Sequence, residues 1–526
     1  MRTTSSVWAC AESVAPPTRP SHRTATLPGM VKGARSWSSR KHTASESTRD
    51  GWIDALRKIV GPDACLTSQA ELYAYACDGL TLDPHHPSVV VLPQSTEEVA
   101  QVVRACRAAG RAFLPRGAGT GLSGGAHPLN DAAVISCARM NQILNLDPRD
   151  RLAVVQPGVV NADLSVAARS EGLFYAPDPS SQQACTIGGN VAENSGGPHT
   201  LKYGTTTNHI LALELVLPDG SVVQLGSATG GATGYDLLGA CIGSEGTTGI
   251  VTEITVRLEP LPEAVETLLV VFDGVPDACR LVGRIIRGGL VPAALEVVDR
   301  RTVEAVEASV YRAGLPQEAG AVLILELDGP ACALPAQIEH IRALADEAGA
   351  QEIRVAADET ERARFWRARK GAFGAMGRLA PDLYVHDAVV PRGRLPEILE
   401  EICAIGDRYR LKLSNVFHAG DGNLHPNISF DRRDPDELER VIAAGREILE
   451  VCVAAGGVLT GEHGVGTEKR DYMGMLFGPD DLDAMKRLRA TFDPDGVCNP
   501  GKIIPSTRAC LESNPKARGY DRVPFT

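Results

Sequence analysis

No apolar run in the sequence approaches the roughly 18 to 20 residues of a membrane-spanning helix, so no transmembrane segment is expected. An excess of basic charge is also lacking. With a net charge of −12 the chain offers no clustered Lys and Arg surface for phosphates, which excludes nucleic acid as a partner. Paired cysteines are missing too: the 13 cysteines are scattered singly, with no Cys-x-x-Cys spacing. That pattern suits small buried hydrophobes in a reducing compartment and leaves no ligand set for an iron–sulfur cluster. Acidic residues are almost absent at the start, where Ser, Thr, Arg and Pro dominate and Glu12 is the only acid before Glu46. Residues 1–49 cannot bury a core and are expected to form a disordered tail. They fit a dispensable tail better than an organellar import signal, which is also Arg- and Ser-rich but carries an amphipathic apolar stripe.

The rest of the 526 residues has an ordinary apolar and charged content and is long enough for two or more domains. Trp52, Ile53, Leu56, Ile59 and Val60 recur on one face of a helix stopped by Gly61-Pro62. Ser88 to Leu92 is a short apolar strand, and Ser95 caps a helix running to Ala109. The following stretch, Gly119-Thr-Gly-Leu-Ser-Gly124, matches a dinucleotide-binding glycine pattern, but no helix opens after it. A nicotinamide-binding unit is therefore disfavoured. The loop is better suited to cradle a pyrophosphate with its backbone N–H groups. Two more small-residue segments, Cys185 to Gly197 and Cys241 to Gly249, allow close backbone approach to a flat or extended ligand. Three such segments in one unit point to a large cofactor lying across loops.

Chemistry also gathers far downstream. His418 and His425 flank Asp421-Gly422, the strongest short signal for a two-residue hairpin turn. That turn would pair Gly420 with Asn423, Ala419 with Leu424 and His418 with His425, putting both imidazoles and Asn427 on one face. Thr460-Gly-Glu-His-Gly-Val-Gly466 offers Glu462 and His463 inside a glycine-rich turn. If Glu462 joins the two histidines, they form an open three-ligand site for a divalent metal. The alternative is a polar turn whose histidines bond to backbone.

Pro115-Arg-Gly-Ala-Gly-Thr-Gly, Pro177-Asp-Pro-Ser-Ser, Ile187-Gly-Gly-Asn-Val-Ala-Glu-Asn-Ser-Gly-Gly and Gly243-Ser-Glu-Gly-Thr-Thr-Gly-Ile together resemble the flavin domain of the vanillyl-alcohol-oxidase superfamily. More closely, the chain resembles the glycolate oxidase flavin subunit and the FAD-linked D-lactate and D-2-hydroxyglutarate dehydrogenases. The resemblance covers about Trp52 to Pro505. It implies an α+β protein with an FAD-binding domain of the vanillyl-alcohol-oxidase (PCMH) type and an α+β cap. The expected division is a tail at 1–49, the FAD-binding domain at 50–262, the cap or substrate domain at 263–478, a segment returning to the flavin at 479–505, and a tail at 506–526. The sheet of the cap is expected to be covered on one face.

The resemblance further implies FAD against Pro115, Arg116, Gly117, Ala118, Gly119, Thr120, Gly121 and Leu122, then Pro177, Asp178 and Ser180, then Gly188, Gly189, Asn190, Asn194, Ser195 and Gly196, then Glu245, Gly246, Gly249 and Ile250, with Asn499 near the ring. Relatives that attach FAD covalently carry a histidine near Thr120, so noncovalent FAD is expected. Arg369 matches the arginine that meets the substrate carboxylate. Larger-substrate relatives carry a threonine near Phe373 and a lysine near Val385; their absence favours a small 2-hydroxy acid, glycolate or D-lactate, over D-2-hydroxyglutarate. The implied reaction is oxidation to the 2-oxo acid with hydride transfer to flavin N5, His463 as base, Arg369 and Asn427 as substrate anchors, and zinc or manganese on His418, His425 and Glu462. Electrons would leave through an iron–sulfur partner subunit or a quinone. The expected setting is cytoplasmic or peripheral to the inner membrane through a partner, with organellar import as the other reading. The rival from another class is a flavin-holding electron-transfer subunit without its own substrate chemistry.

Overall fold

The computed structural model describes residues 46–505 except positions 83 and 232, and the chain from Ser47 onward forms one compact unit. Of the tails expected at 1–49 and 506–526, residues 1–45 and all of 506–526 lie outside the described residues. The first helix, Glu46–Val60, starts inside the stretch expected to be tail and ends at Gly61, where φ is +86°. Trp52, Ile53, Leu56 and Val60 are buried, as their spacing predicts.

Two sheets carry the glycine loops. The first is four-stranded, in the order Cys65–Leu66, Val89–Val91, Ala133–Ser136, Phe113–Arg116, with the last three strands parallel. The second is antiparallel, in the order Ile143–Asp147, Leu152–Val155, Ile250–Arg257, Ile210–Val216, Val222–Gly226. As expected, the 117–125 stretch is a loop between strands and opens no helix. The second small-residue segment does contain one, Ile187–Glu193, capped by the Thr186 hydroxyl and ended by Asn194 in the left-handed region. Its glycines permit close docking: a Cβ at Gly188 would stand 2.5 Å from the Pro157 side chain.

The downstream half is a nine-membered sheet in which Glu352–Val355, Ala264–Phe272, Ala321–Gly329, Ala294–Asp299 and Lys412–His418 are consecutive neighbours. It is covered on both faces, which corrects the single-face expectation. Leu268, Val270, Leu323 and Leu325 pack with Ile285, Ile402 and Ile448 on one side. The alternate residues Leu269, Val271, Val322 and Ile324 pack with Val303, Phe365 and Ala368 on the other. The continuous apolar run from Val322 to Leu325 is the signature of a strand buried on both faces. No helix among the described residues is long and apolar enough to cross a membrane.

Candidate active site

The strand Lys412–His418 runs along Ala294–Asp299 on one edge, with His418 opposite Glu296, and along Pro426–Phe430 on the other. Its turn is four residues long. His418 pairs with Asn423 instead of His425, a shift of two residues from the predicted register. Because strand side chains alternate with period two, this shift leaves both histidines on the same face. Their rings are 5.0 Å apart at 86°.

Glu462 closes the group. Its Oε1 lies 3.2 Å from His418 Nε2 and 3.2 Å from His425 Nε2, while its buried Oε2 makes no hydrogen bond. Behind each imidazole stands a carboxylate. Glu296 lies 2.8 Å from His418 Nδ1, and Asp387 lies 3.8 Å from His425 Nδ1. Glu296 at His418 Nδ1, and the His386 carbonyl 3.4 Å from His425 Nδ1, accept from the tautomer that turns Nε2 toward a metal, an arrangement characteristic of histidine ligands. Burial works against charge on His418, but Glu296 and Glu462 outweigh it and hold its pKa well above the ordinary range. The carboxylates thus call for a positive charge here, which an imidazolium or a divalent ion supplies. The donor set, the free Glu462 oxygen and the acceptors at Nδ1 all fit a metal ion.

The turn bearing Glu462 and His463 is gripped at both ends. Asp387 accepts the Thr460 hydroxyl at 2.5 Å and the N–H groups of Gly461 and His463 at 3.0 Å. Glu245, from the flavin-side loops, accepts the N–H groups of Val465 and Gly466 at 2.7 and 2.8 Å. His463 stacks on His425 at 4.9 Å and 8°, and its buried Nδ1 is unpartnered. Burial lowers the His463 pKa to about 4, with Asp387 opposing.

One cavity of about 440 Å³ joins these groups to the glycine loops. Residues 115–122 all line it, as do Ser180, Gly188, Gly189, Asn190, Ser195, Glu245, Gly246, Gly249 and Ile250. His425, Glu462 and His463 line its far end with Phe373, Leu383 and Val385. Two of its glycines leave no room for a side chain: a Cβ at Gly117 would stand 2.5 Å from Thr186 Oγ1, and one at Gly246 2.3 Å from Pro115. An extended cofactor on bare backbone fits that wall.

Several expected contacts sit behind the wall. The Pro177 carbonyl accepts a bond from Asn161, and Asn194 receives the Thr207 N–H. Gly196 backs onto Glu462, where a Cβ would meet Oε2 at 2.9 Å. Asn499 ties the carbonyls of Gly125 and Glu245 together at 2.9 and 2.7 Å. Asp178 bonds His199 and Lys370. Arg116 lines the cavity, yet its guanidinium donates to the carbonyls of Cys77 and Ala126. His418, Asn427 and Arg369 are almost wholly enclosed. Arg369 Nη2 pairs with Glu296 at 2.5 Å, leaving Nε and Nη1 unpartnered, while Asn427 keeps Oδ1 free.

Sequence reasoning missed Glu296, Asp387 and Lys370. A lone carboxylate inside the apolar run Ala294–Val298 was a visible signal for Glu296. Nothing local marks Asp387, whose role depends on a turn 73 residues later.

A cavity joining a bare-backbone cradle to a cluster of histidines and carboxylates suits an oxidoreductase that binds an extended cofactor. Residues 87–226 match the family described as FAD binding domain, and 261–503 match FAD linked oxidases, C-terminal domain. The chain belongs to the FAD-linked oxidase family. It is 44% identical to the glycolate oxidase subunit GlcD of Escherichia coli K12, over 91% of this chain and 95% of that protein. It is 35% identical to the D-lactate dehydrogenase of Anaerostipes hadrus, over 79% of this chain and 89% of that one. The fold, with its PCMH-type FAD-binding domain, is that of p-cresol methylhydroxylase (TM-score 0.76, 18% identity, 88% of this chain and 98% of that one).

Proposed function

We propose that this chain oxidises a small 2-hydroxy acid, glycolate or D-lactate, to its 2-oxo acid, using noncovalently bound FAD and a divalent ion, zinc or manganese. The carrying observation is that His425, Glu462 and His463 line the same cavity as the glycine loops. The names of the glycolate oxidase and D-lactate dehydrogenase relatives support the substrate class. Residues 50–262 would form the flavin domain, 263–478 the substrate domain, and 479–505 the returning segment. Thr120 in the loop offers no imidazole for covalent attachment.

FAD supplies the two-electron acceptor for the α-hydrogen as hydride, and an ion on His418, His425 and Glu462 would make the substrate hydroxyl more acidic. His463 takes the hydroxyl proton on its free Nδ1. Arg369 offers its unpartnered Nε and Nη1 to the carboxylate, with Glu296 holding the third nitrogen. Asn427 presents its free Oδ1. Phe373 and Val385 stand in the cavity lining where larger-substrate relatives carry a threonine and a lysine, which disfavours D-2-hydroxyglutarate. Electrons then pass to a quinone or partner protein, and the chain works in the cytoplasm, reaching the inner membrane through a partner.

Anaerobic bleaching of the flavin by glycolate, D- and L-lactate and D-2-hydroxyglutarate, with and without a chelator, tests the whole reading. Bleaching by a small acid that stops in metal-free protein is expected. A yellow protein bleached by none of them would be the flavin-holding subunit instead, and unchanged bleaching without metal would remove the ion from the mechanism.

A further inference from the structure

Two side chains with permanent positive charge reach the wall of the cavity, Arg116 and Lys370. Arg116 is committed to the carbonyls of Cys77 and Ala126. Arg369 lies behind the wall against Glu296, 1% exposed. Besides Arg369, assigned above to the carboxylate from behind the wall, Lys370 is the lining cation that an anion entering the cavity can meet, and its side chain is 24% exposed. It stands one turn of chain before Phe373, whose ring faces His425 at 6.4 Å. Lys370 lines the same cavity as His425 and His463.

Its present partner is Asp178 Oδ2, at 3.0 Å. Asp178 has a second cationic neighbour: His199 Nδ1 lies 2.9 Å from the same oxygen, and its Nε2 lies 3.0 Å from Glu326 Oε1. Trp366 and Thr267 donate to the other Glu326 oxygen at 2.5 and 2.8 Å. Burial opposes charge on His199, yet Asp178 and Glu326 raise its pKa to about 10, so the ring is an imidazolium at neutral pH. Lys370 and His199 balance Asp178 and Glu326. When Lys370 leaves, Asp178 keeps a charged partner, so the lysine is exchangeable at low cost.

We propose that Lys370 is a specificity-determining residue that exchanges Asp178 for the carboxylate of the 2-hydroxy acid. The assignment rests on the function proposed above. A charge-assisted hydrogen bond of this kind corresponds to about tenfold or more in affinity.

Oxalate, an unreactive carboxylate probe, can be titrated into the holoenzyme and followed by perturbation of the flavin spectrum. K370M is expected to weaken oxalate about tenfold or more and to raise KM for glycolate more than it lowers kcat. K370R should restore most of the affinity. H199Q should also weaken oxalate, because Asp178 then retains the lysine. Flavin content and affinity for sulfite, which adds to flavin N5, should match wild type in K370M. The proposal is overturned if wild type does not bind oxalate, if K370M binds it as wild type does, or if K370M loses sulfite affinity alone, which would assign the lysine to the flavin. A wild type that binds oxalate but is reduced by no 2-hydroxy acid removes the proposed function, while the K370M comparison still decides the role of the lysine.

Discussion

Glu296 makes two contacts whose consequences differ. Both of its oxygens face His418 Nδ1, at 2.8 and 2.9 Å, and Oε2 also pairs with Arg369 Nη2, all with essentially no solvent exposure. A buried guanidinium without its carboxylate is an uncompensated charge, so truncation to Ala would confound orientation with stability. E296Q leaves the same uncompensated guanidinium but keeps the shape and an acceptor for Nδ1–H, so metal affinity is compared only in protein shown to be folded by its thermal midpoint. The substitution is expected to lower affinity for zinc or manganese by about 10- to 100-fold, the usual effect of losing an orienting carboxylate, measured by competition with a chromogenic chelator. Wild-type metal affinity in a folded E296Q protein would show that Glu296 serves Arg369 alone. These residues also mark where sequence reading stops. His418, His425 and Glu462 are legible as a triplet because two share a hairpin and the third sits in a glycine turn. Their neighbouring carboxylates, Glu296 on a strand and Asp387 in the link between Asp382–Val385 and Ala388–Val389, lie 122 and 38 positions away from the histidines they face, distances over which one sequence carries no pairing signal.

At the scale of elements, the hairpin that carries both histidines depends on Gly422. Its φ is +85°, and a Cβ there would stand 2.2 Å from the Val390 carbonyl oxygen. G422A is therefore expected to cost about 2 kcal/mol or more, from left-handed backbone strain plus the clash, visible as a lowered denaturation midpoint. An unchanged midpoint would mean that the turn relaxes freely. The same hairpin shows how a correct facing can come from a wrong register. Asp-Gly signals a tight turn, but the chain uses four residues, and Asp421 instead accepts the Asn423 N–H at 3.0 Å. Period two rescues the prediction, since a slip of two residues changes partners without changing faces. The helix from Pro435 to Ala454, capped by Asp434, was legible for a different reason: its cap, proline and apolar stripe are all local. The helix Ile187–Glu193 was not, because two of its seven residues are glycines that propensity assigns to loops. Docking against Pro157 overrides that propensity.

Across the whole molecule, the site exists only where the two sets of sheets meet. Asp387 and Glu245 hold one turn between them, and Asp178, His199 and Glu326 form a second junction linking the loop after Pro177 to the strand Ala321–Gly329. The charge state of His199 makes this junction sensitive to pH. Its pKa is raised from 6.5 to about 10 in the folded chain, so its contribution to stability is fully present below about 6.5. That contribution is lost as pH rises through about 10. Asp178 has the opposite sign: burial opposes its charge, but His199 and Lys370 depress its pKa, so its contribution is present above the ordinary carboxylate range and lost on acidification. The junction should therefore be strongest between about pH 4 and 6.5 and weaken steadily toward pH 10. Thermal midpoints of wild type and H199Q at pH 6, 8 and 10 isolate the histidine, because other titrating groups largely cancel in the difference. The gap should be widest at pH 6 and narrow by pH 10. A gap that is constant across this range, or that widens with pH, would mean that His199 is neutral in the folded protein and that the two carboxylates draw their compensation from Lys370 alone.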